Sequence, residues 1–332
     1  MNYREEVDAA KIYKTNYING LEHIIKTRQK EAEKKRNEYT KNIFSDAEGY
    51  RDDLKEMLGW PLVDYHKGSD IKVISELLSE EDGYDIYRMQ FEILDGLTLT
   101  GLLFRQRGED KKPMVIVQHG GLGTPELISG VYGGTSNYND MLHRVIKNGV
   151  HAFAPQLLLW NEIYGDTFDR KRIDARLKRV GSSIAAIEVF GITRIMDYFE
   201  ENVSSFGMVG LSYGGFFTLY TAAIDTRIKS SLSCSFFNKR DEIAWPDWTW
   251  LKSAEKFDDA EVACLIYPRK LCIEMGDKDE LFDYHHSVAS FEKIKLLCRE
   301  VGTDWVDFKL FEGTHEFCKD DEPIRRLIDD IR

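Results

Sequence analysis

The chain has 332 residues, 42% of them hydrophobic and 31% charged, an ordinary globular composition with ample apolar material for a large core. Its formal net charge of -12 excludes the basic face that nucleic-acid binding needs and argues against an anionic membrane as partner. Cys234, Cys264, Cys272, Cys298 and Cys318 are odd in number and show no C-x-x-C spacing, so they read as reduced core thiols. The stretch Met1 to Asp8 is charged where a signal peptide is apolar, and no window approaches the ~18 consecutive apolar residues of a membrane span. A cytoplasmic location is the expectation.

Residues 1–65 read as an N-terminal helical extension and residues 66–332 as one larger domain. Good helix formers with interleaved charges run from Glu22 to Tyr39. They predict a solvated helix face supported by i,i+4 pairs, with a homo-oligomer contact as the other reading. Tyr50 to Gly59 predicts a short helix stopped at Gly59-Trp60-Pro61. Tyr84 to Arg107 predicts two antiparallel strands joined at Asp95-Gly96.

Short apolar runs separated by helical stretches follow. The strands expected are Met114–Val117, Val150–Ala154, Phe206–Gly210, Ile228–Ser233, Lys270–Glu274 and Phe308–Phe311. Helices are expected around Tyr138 to Lys147 and from Ser182 to Glu201. Strands alternating with helices imply right-handed βαβ units and a mostly parallel sheet with helices on both faces.

Gly210-Leu211-Ser212-Tyr213-Gly214 matches G-x-S-x-G between an apolar strand and a helix-like run, Gly215 to Ala223. The pattern alone is weak, but a strand-to-helix turn that exposes a serine needs small neighbours, because its backbone is strained. A serine hydroxyl needs a base to remove its proton. Of the histidines after Ser212, His285 and His286 fall at a helix start, whereas His315 follows the last predicted strand, where a parallel sheet gathers its site. The acid that orients such a base should follow the preceding strand, where Gly276-Asp277-Lys278-Asp279-Glu280 offers three carboxylates. Asp279 is the choice, with Asp277 the alternative. Two backbone donors should hold an oxyanion. They are the Tyr213 N–H and the Gly121 N–H, with Gly120 as alternative to Gly121, in the loop Gln118-His119-Gly120-Gly121. His119 itself reads as structural, bonding that loop.

This set resembles the α/β-hydrolase superfamily, and within it the dienelactone-hydrolase-like and acetyl xylan esterase-like branch. The stretch Ala222-Ala223-Ile224-Asp225-Thr226-Arg227-Ile228-Lys229 and the lead-in Leu58-Gly59-Trp60-Pro61-Leu62 are similar to segments of that branch. The resemblance covers about residues 50 to 330 and implies the α/β-hydrolase fold. Two departures stand out. Acetyl xylan esterases commonly have H-G-Y where this chain has His119-Gly120-Gly121, and dienelactone hydrolases proper use Cys where this chain has Ser212.

The expectation is therefore a serine carboxylic-ester hydrolase for short acyl or acetyl esters, working through Ser212, His315 and Asp279 with no metal or organic cofactor. The partner expected is a small-molecule or carbohydrate ester. Trp245, Trp248 and Trp250, in an aromatic loop from Asn238 to Asp258, are candidate pocket residues, the alternative being that they pack the loop onto the core. The charged connection Trp160 to Gly181, with Asp169-Arg170-Lys171-Arg172, reads as a solvated loop and helix start. Two other functions compete, a peptidase of prolyl-oligopeptidase type and a non-catalytic scaffold of the same fold.

Overall fold

A computed structural model describes every residue except 61–70, 95, 109–110, 160–167 and 244. Pro61, the 65/66 boundary, Asp95 of the hairpin turn and most of the Trp160 to Gly181 connection's first half therefore lie outside the described residues. Among the described residues, nine strands form one sheet: β1 (Val73–Glu80), β2 (Tyr84–Leu94), β3 (Leu97–Gln106), β4 (Met114–Gln118), β5 (His151–Gln156), β6 (Phe206–Leu211), β7 (Ile228–Cys234), β8 (Lys270–Gly276) and β9 (Val306–Phe311). The spatial order is β1-β2-β3-β5-β4-β6-β7-β8-β9. β4 to β9 pair in parallel, and the other three strands join antiparallel. This is the α/β-hydrolase architecture, with one antiparallel strand, β1, more than the sequence predicts.

Among the described residues ten α-helices accompany the sheet: α1 (Lys11–Tyr39), α2 (Ala47–Leu58), α3 (Pro125–Ile128), α4 (Met141–Ile146), α5 (Arg170–Arg179), α6 (Ile184–Phe199), α7 (Tyr213–Ile224), α8 (Asp259–Cys264), α9 (Tyr284–Leu297) and α10 (Glu322–Ile331). Alternation along each strand divides the core in two. Met114 and Ile116 of β4 point to the face covered by α2, α6, α7, α8 and α9, and Val115 and Val117 point to the face covered by α3, α4 and α10. β4, covered on both sides, carries an unbroken apolar run, Met114 to Val117, which is why it was readable. Ile43, Tyr50, Leu54 and Leu58 belong to the larger of these cores, so residues 43–58 are built into the body.

The chain steps from β4 outward to β5, then returns across β4 to β6. Such a reversal opens a crevice at the carboxyl ends of the strands, where open α/β sheets place their sites. Ser212 after β6, Asp279 after β8 and His315 after β9 lie at those ends. Among the described residues, no helix is long and apolar enough to cross a membrane.

One buried acid couples the sheet to pH. Glu274 on β8 is buried, its Oε1 has no hydrogen-bond partner, and Lys309 Nζ stands 3.9 Å away. Burial, against the opposing charges of Lys309 and Arg144, pushes its carboxyl up to about 7; Cys234, Cys272, Cys318 and Asp320 also face it. A folded-state value above the unfolded one means stability that is full below about 4.5 and lost as pH rises through about 7. Glu274→Gln, which cannot ionise, should therefore stabilise the protein more at about pH 8 than at about pH 5, by on the order of 3 kcal/mol. Urea unfolding at the two pH values checks this, and an equal effect at both would refute it.

Candidate active site

Ser212 sits between β6 and α7 with φ 60° and ψ -121°, a conformation that costs a non-glycine residue about 1–3 kcal/mol. The surrounding contacts hold it. A Cβ on Gly210 would lie 2.2 Å from Gly214 O, and one on Gly214 would lie 2.2 Å from Gln118 O, so neither position tolerates a side chain. Ser212 N donates to Cys234 O at 2.9 Å, and its carbonyl accepts the first helical bond, from Phe216 N at 3.0 Å. The turn thereby presents the serine side chain at the head of a helix.

His315 and Asp279 meet: His315 Nδ1 donates to Asp279 Oδ2 at 2.9 Å, and the Asp279 side chain is fully buried. Asp279 Oδ1 accepts the amides of Leu281 at 2.9 Å and Phe282 at 3.0 Å, so the carboxylate is fixed from both sides. The neighbouring acids have other tasks. Asp277 Oδ1 accepts Gly313 N at 3.0 Å, bracing the histidine loop, and Glu280 Oε2 accepts His315 N at 3.4 Å. Asn137 Nδ2 donates to His315 O at 2.9 Å from the opposite side. His285 and His286 lie at the start of α9, and His285 pairs with Asp283 at 2.7 Å in an exposed position. Among the described residues Ser212 and His315 share no hydrogen bond, in keeping with nucleophile–base contacts that tighten only when substrate arrives.

The loop after β4 separates the two oxyanion candidates. Gly120 N donates to Tyr138 Oη at 2.9 Å and is thereby engaged. Gly120 O accepts from His119 Nδ1 at 2.9 Å and from Gly123 N at 3.2 Å. A trans peptide aims the following N–H opposite to its carbonyl, so pinning Gly120 O turns the Gly121 amide away from His119. Gly121 lies against the Tyr213 ring, and Tyr213 N heads α7, where amides point out along the axis. His119 is fully buried, its Nε2 accepts Leu157 N at 3.2 Å, and burial pushes its imidazole down to about 4. A neutral ring donating at Nδ1 and accepting at Nε2 fits the structural role expected of it. Among the described residues, no group of three or more His, Cys, Asp and Glu side chains could hold a metal ion.

The profile of the dienelactone hydrolase family matches residues 99–326, well over half of the chain. The chain belongs to the dienelactone hydrolase family. Among curated proteins no sequence match reaches significance. Solved structures similar to this member of the family include three esterases. A glucuronoyl esterase from Solibacter usitatus shares 13% identity over 84% of this chain and 91% of its own, with a TM-score of 0.62. Acetyl xylan esterase 1 from a Thermoanaerobacterium species shares 15% over 86% and 93%, with a TM-score of 0.58. A cold-adapted esterase from an Arctic intertidal metagenomic library shares 18% over 76% and 97%, with a TM-score of 0.54. At such identities the likeness establishes the fold, and the family adds the class: this dienelactone hydrolase family member is an ester hydrolase.

The tryptophan loop of this family member divides into two layers. Trp248 and Trp250 are buried, with Trp248 stacked on Phe216 at 5.1 Å and Trp250 on the same ring at 6.4 Å. Trp245 is only half-buried and stacks on Tyr213 at 5.5 Å. It also lies 5.7 Å from Phe282, which is 5.6 Å from His315. Beneath these rings is a buried charge network that sequence reasoning missed. Arg170 pairs with Glu188 and Asp247, both at 2.8 Å, and also donates to Leu158 O. Asp247 Oδ2 accepts Tyr213 Oη at 3.0 Å, so the residue following Ser212 is tied through Asp247 to α5 and α6. Arg170 lies in the charged connection read as solvated, and nothing local distinguishes it from Lys171 or Arg172.

Proposed function

We propose that the chain hydrolyses short acyl esters through a covalent acyl-enzyme, with Ser212 as nucleophile, His315 as general base and then acid, and Asp279 as orienting carboxylate. Ser212 Oγ attacks the ester carbonyl while His315 Nε2 takes its proton. Asp279 holds Nδ1 protonated, which leaves Nε2 the acceptor, and stabilises the imidazolium that forms. The amides of Gly121 and Tyr213 hold the tetrahedral oxyanion. His315 returns the proton to the departing alcohol, and water then attacks the acyl-enzyme by the same route in reverse.

The observation that carries the reading is the His315–Asp279 bond with the Asp279 side chain fully buried, on the same rim as a strained Ser212. Trp245 and Phe282 form an aromatic wall between Tyr213 and His315, and it is the substrate-pocket role proposed for Trp245 that narrows the acyl group. Trp248 and Trp250 support that wall from behind. An acetylated carbohydrate is the alcohol side favoured, since an aromatic face suits a sugar ring.

A panel of aryl esters from acetyl to octanoyl, an acetylated sugar and a peptide amide tests this. The expectation is a kcat/KM highest for acetyl or propionyl and at least about tenfold lower for octanoyl, since each misfitting methylene is worth ~1–3 kcal/mol. Activity that rises with chain length, or a preference for the peptide amide, would sink the short-acyl reading.

A further inference from the structure

The buried guanidinium of Arg170 joins two chains of hydrogen bonds. One runs to Tyr213. Arg170 Nε donates to Asp247 Oδ2 at 2.8 Å, and the same oxygen accepts Tyr213 Oη at 3.0 Å. The guanidinium also stands 5.5 Å from the centre of the Tyr213 ring, and that ring lies against Gly121. The other chain runs to the loop after β4. Arg170 Nη1 donates to Leu158 O at 2.6 Å, and Glu188 Oε1, which accepts from the same nitrogen at 2.9 Å, accepts Leu158 N at 2.6 Å. Leu158 is thereby clamped at both of its backbone groups. One residue earlier, Leu157 N donates to His119 Nε2 at 3.2 Å, and His119 Nδ1 donates to Gly120 O at 2.9 Å, the bond that turns the Gly121 amide.

Stability alone does not account for such a junction. The Arg170 and Asp247 side chains are fully buried and that of Glu188 nearly so, which sets one positive charge against two carboxylates. Asp247 Oδ1 has no hydrogen-bond partner, and burial pushes the Glu188 carboxyl up against the opposing charge of Arg170. Well-packed apolar side chains often stabilise a core as much as a buried ion cluster does. What they cannot supply is direction. The Tyr213 amide follows a residue held at φ 60°, so local backbone preference does not set it, and the Gly121 amide lies between glycines. An oxyanion donor is effective only if its N–H is aimed before the charge develops. A rigid planar fork can hold Asp247, Glu188 and Leu158 O together, whereas a lysine ammonium on a flexible stem cannot.

We propose that Arg170 is a positioning residue for catalysis, aiming the Tyr213 amide through Asp247 and the Gly121 amide through Glu188, Leu158 and His119. The inference rests on the acyl-enzyme reading above. Arg170 touches no reacting atom; it sets the two donors relative to each other.

Kinetics on an acetyl aryl ester, with inhibition by trifluoroacetone, test this. Ser212 Oγ adds to that ketone's carbonyl while His315 takes the proton, and the hemiketal oxyanion fills the same hole. Its inhibition constant therefore reads donor alignment, which KM does not. Tyr213→Phe, which cuts one chain at its end, should lower kcat about tenfold with KM within about threefold, short of the ~10²–10³ lost with a whole donor. The inhibition constant should rise by about the same factor. Arg170→Lys keeps the charge but loses the fork, and should lower kcat about a hundredfold. Adding Tyr213→Phe to it should cost less than a further factor of about ten, because the two changes share a path. Asp247→Ala should lose at least as much as Tyr213→Phe, whereas Asp247→Asn, whose carbonyl oxygen can still accept both bonds, should stay within about threefold. Should Arg170→Lys fail to fold, Tyr213→Phe and the two Asp247 variants decide. A folded Tyr213→Phe with kcat and inhibition constant both within about twofold of wild type, beside an inactive Ser212→Ala, overturns this inference alone. An active Ser212→Ala overturns the acyl-enzyme reading beneath it. Variants that lower the thermal midpoint but leave the inhibition constant unmoved also overturn the inference and return Arg170 to packing.

Discussion

Ser212→Ala should give a folded protein whose ester hydrolysis is slower by at least ~10⁴-fold in kcat, with KM changed little. The size follows from what is removed. Without Oγ no acyl-enzyme can form, and what remains is water attacking a carbonyl polarised by the Gly121 and Tyr213 amides, a residual worth ~10³–10⁴ over the uncatalysed reaction in triad enzymes. Stability should scarcely move, because alanine at φ 60° is strained as serine is and the elbow is held by contacts between Gly210, Gly214 and Gln118 that the substitution does not touch. The readouts are steady-state kinetics on an acetyl aryl ester, the thermal midpoint, and labelling by a serine-directed phosphonate. Wild type should gain one adduct mass and the variant none. A variant retaining more than about a tenth of the wild-type rate, or a labelled site other than Ser212, would transfer the chemistry elsewhere.

What could be read from the sequence follows from how each element is stabilised. β4 to β8 are largely buried, so runs such as Met114–Val117 stand out as apolar blocks, and the elbow stands out because two close backbone approaches demand glycine on either side of Ser212. β1 does not stand out. It is an edge strand, paired on one side only, with a bulge between Leu77 and Ser79, and it exposes Ile74, Leu77 and Leu78. Its residues carry neither an apolar block nor a clean alternation. The start of α1 was hidden for a related reason: Ala10 supplies no side-chain cap, and the helix extends to Lys11 where the sequence predicts helix only from Glu22.

The site was legible to the extent that its parts are local. Ser212, His315 and Asp279 each follow a strand that the pattern reveals. Arg170 could not be found that way, because its partners Glu188 and Asp247 stand 18 and 77 positions along the chain and only the fold unites them. The aromatic loop shows the same boundary between composition and placement. Three tryptophans mark a hydrophobic loop, yet the half-buried ring of Trp245 and the buried ring of Trp248 both reach Phe282 beside His315, while Trp250 completes the packing around Phe216.

Asp279→Asn should lower kcat by about 10⁴-fold, whereas Asp277→Asn should stay within about tenfold of wild type. The two residues differ by what they accept. Asp279 takes the His315 Nδ1 proton on one oxygen and two backbone amides on the other. In the asparagine variant the side-chain oxygen can still take the Leu281 and Phe282 amides, which turns the NH₂ toward His315. Nδ1 must then accept, the proton moves to Nε2, and the nitrogen facing the serine can no longer act as base. The loss is therefore of tautomer, with geometry and substrate binding retained, so KM should stay within about threefold. Asp277 accepts only the Gly313 amide, a bond that an asparagine oxygen reproduces. Parallel kinetics of the two variants decide the matter: a larger loss from Asp277→Asn would move the orienting acid two residues back, and with it the proton path assigned to His315.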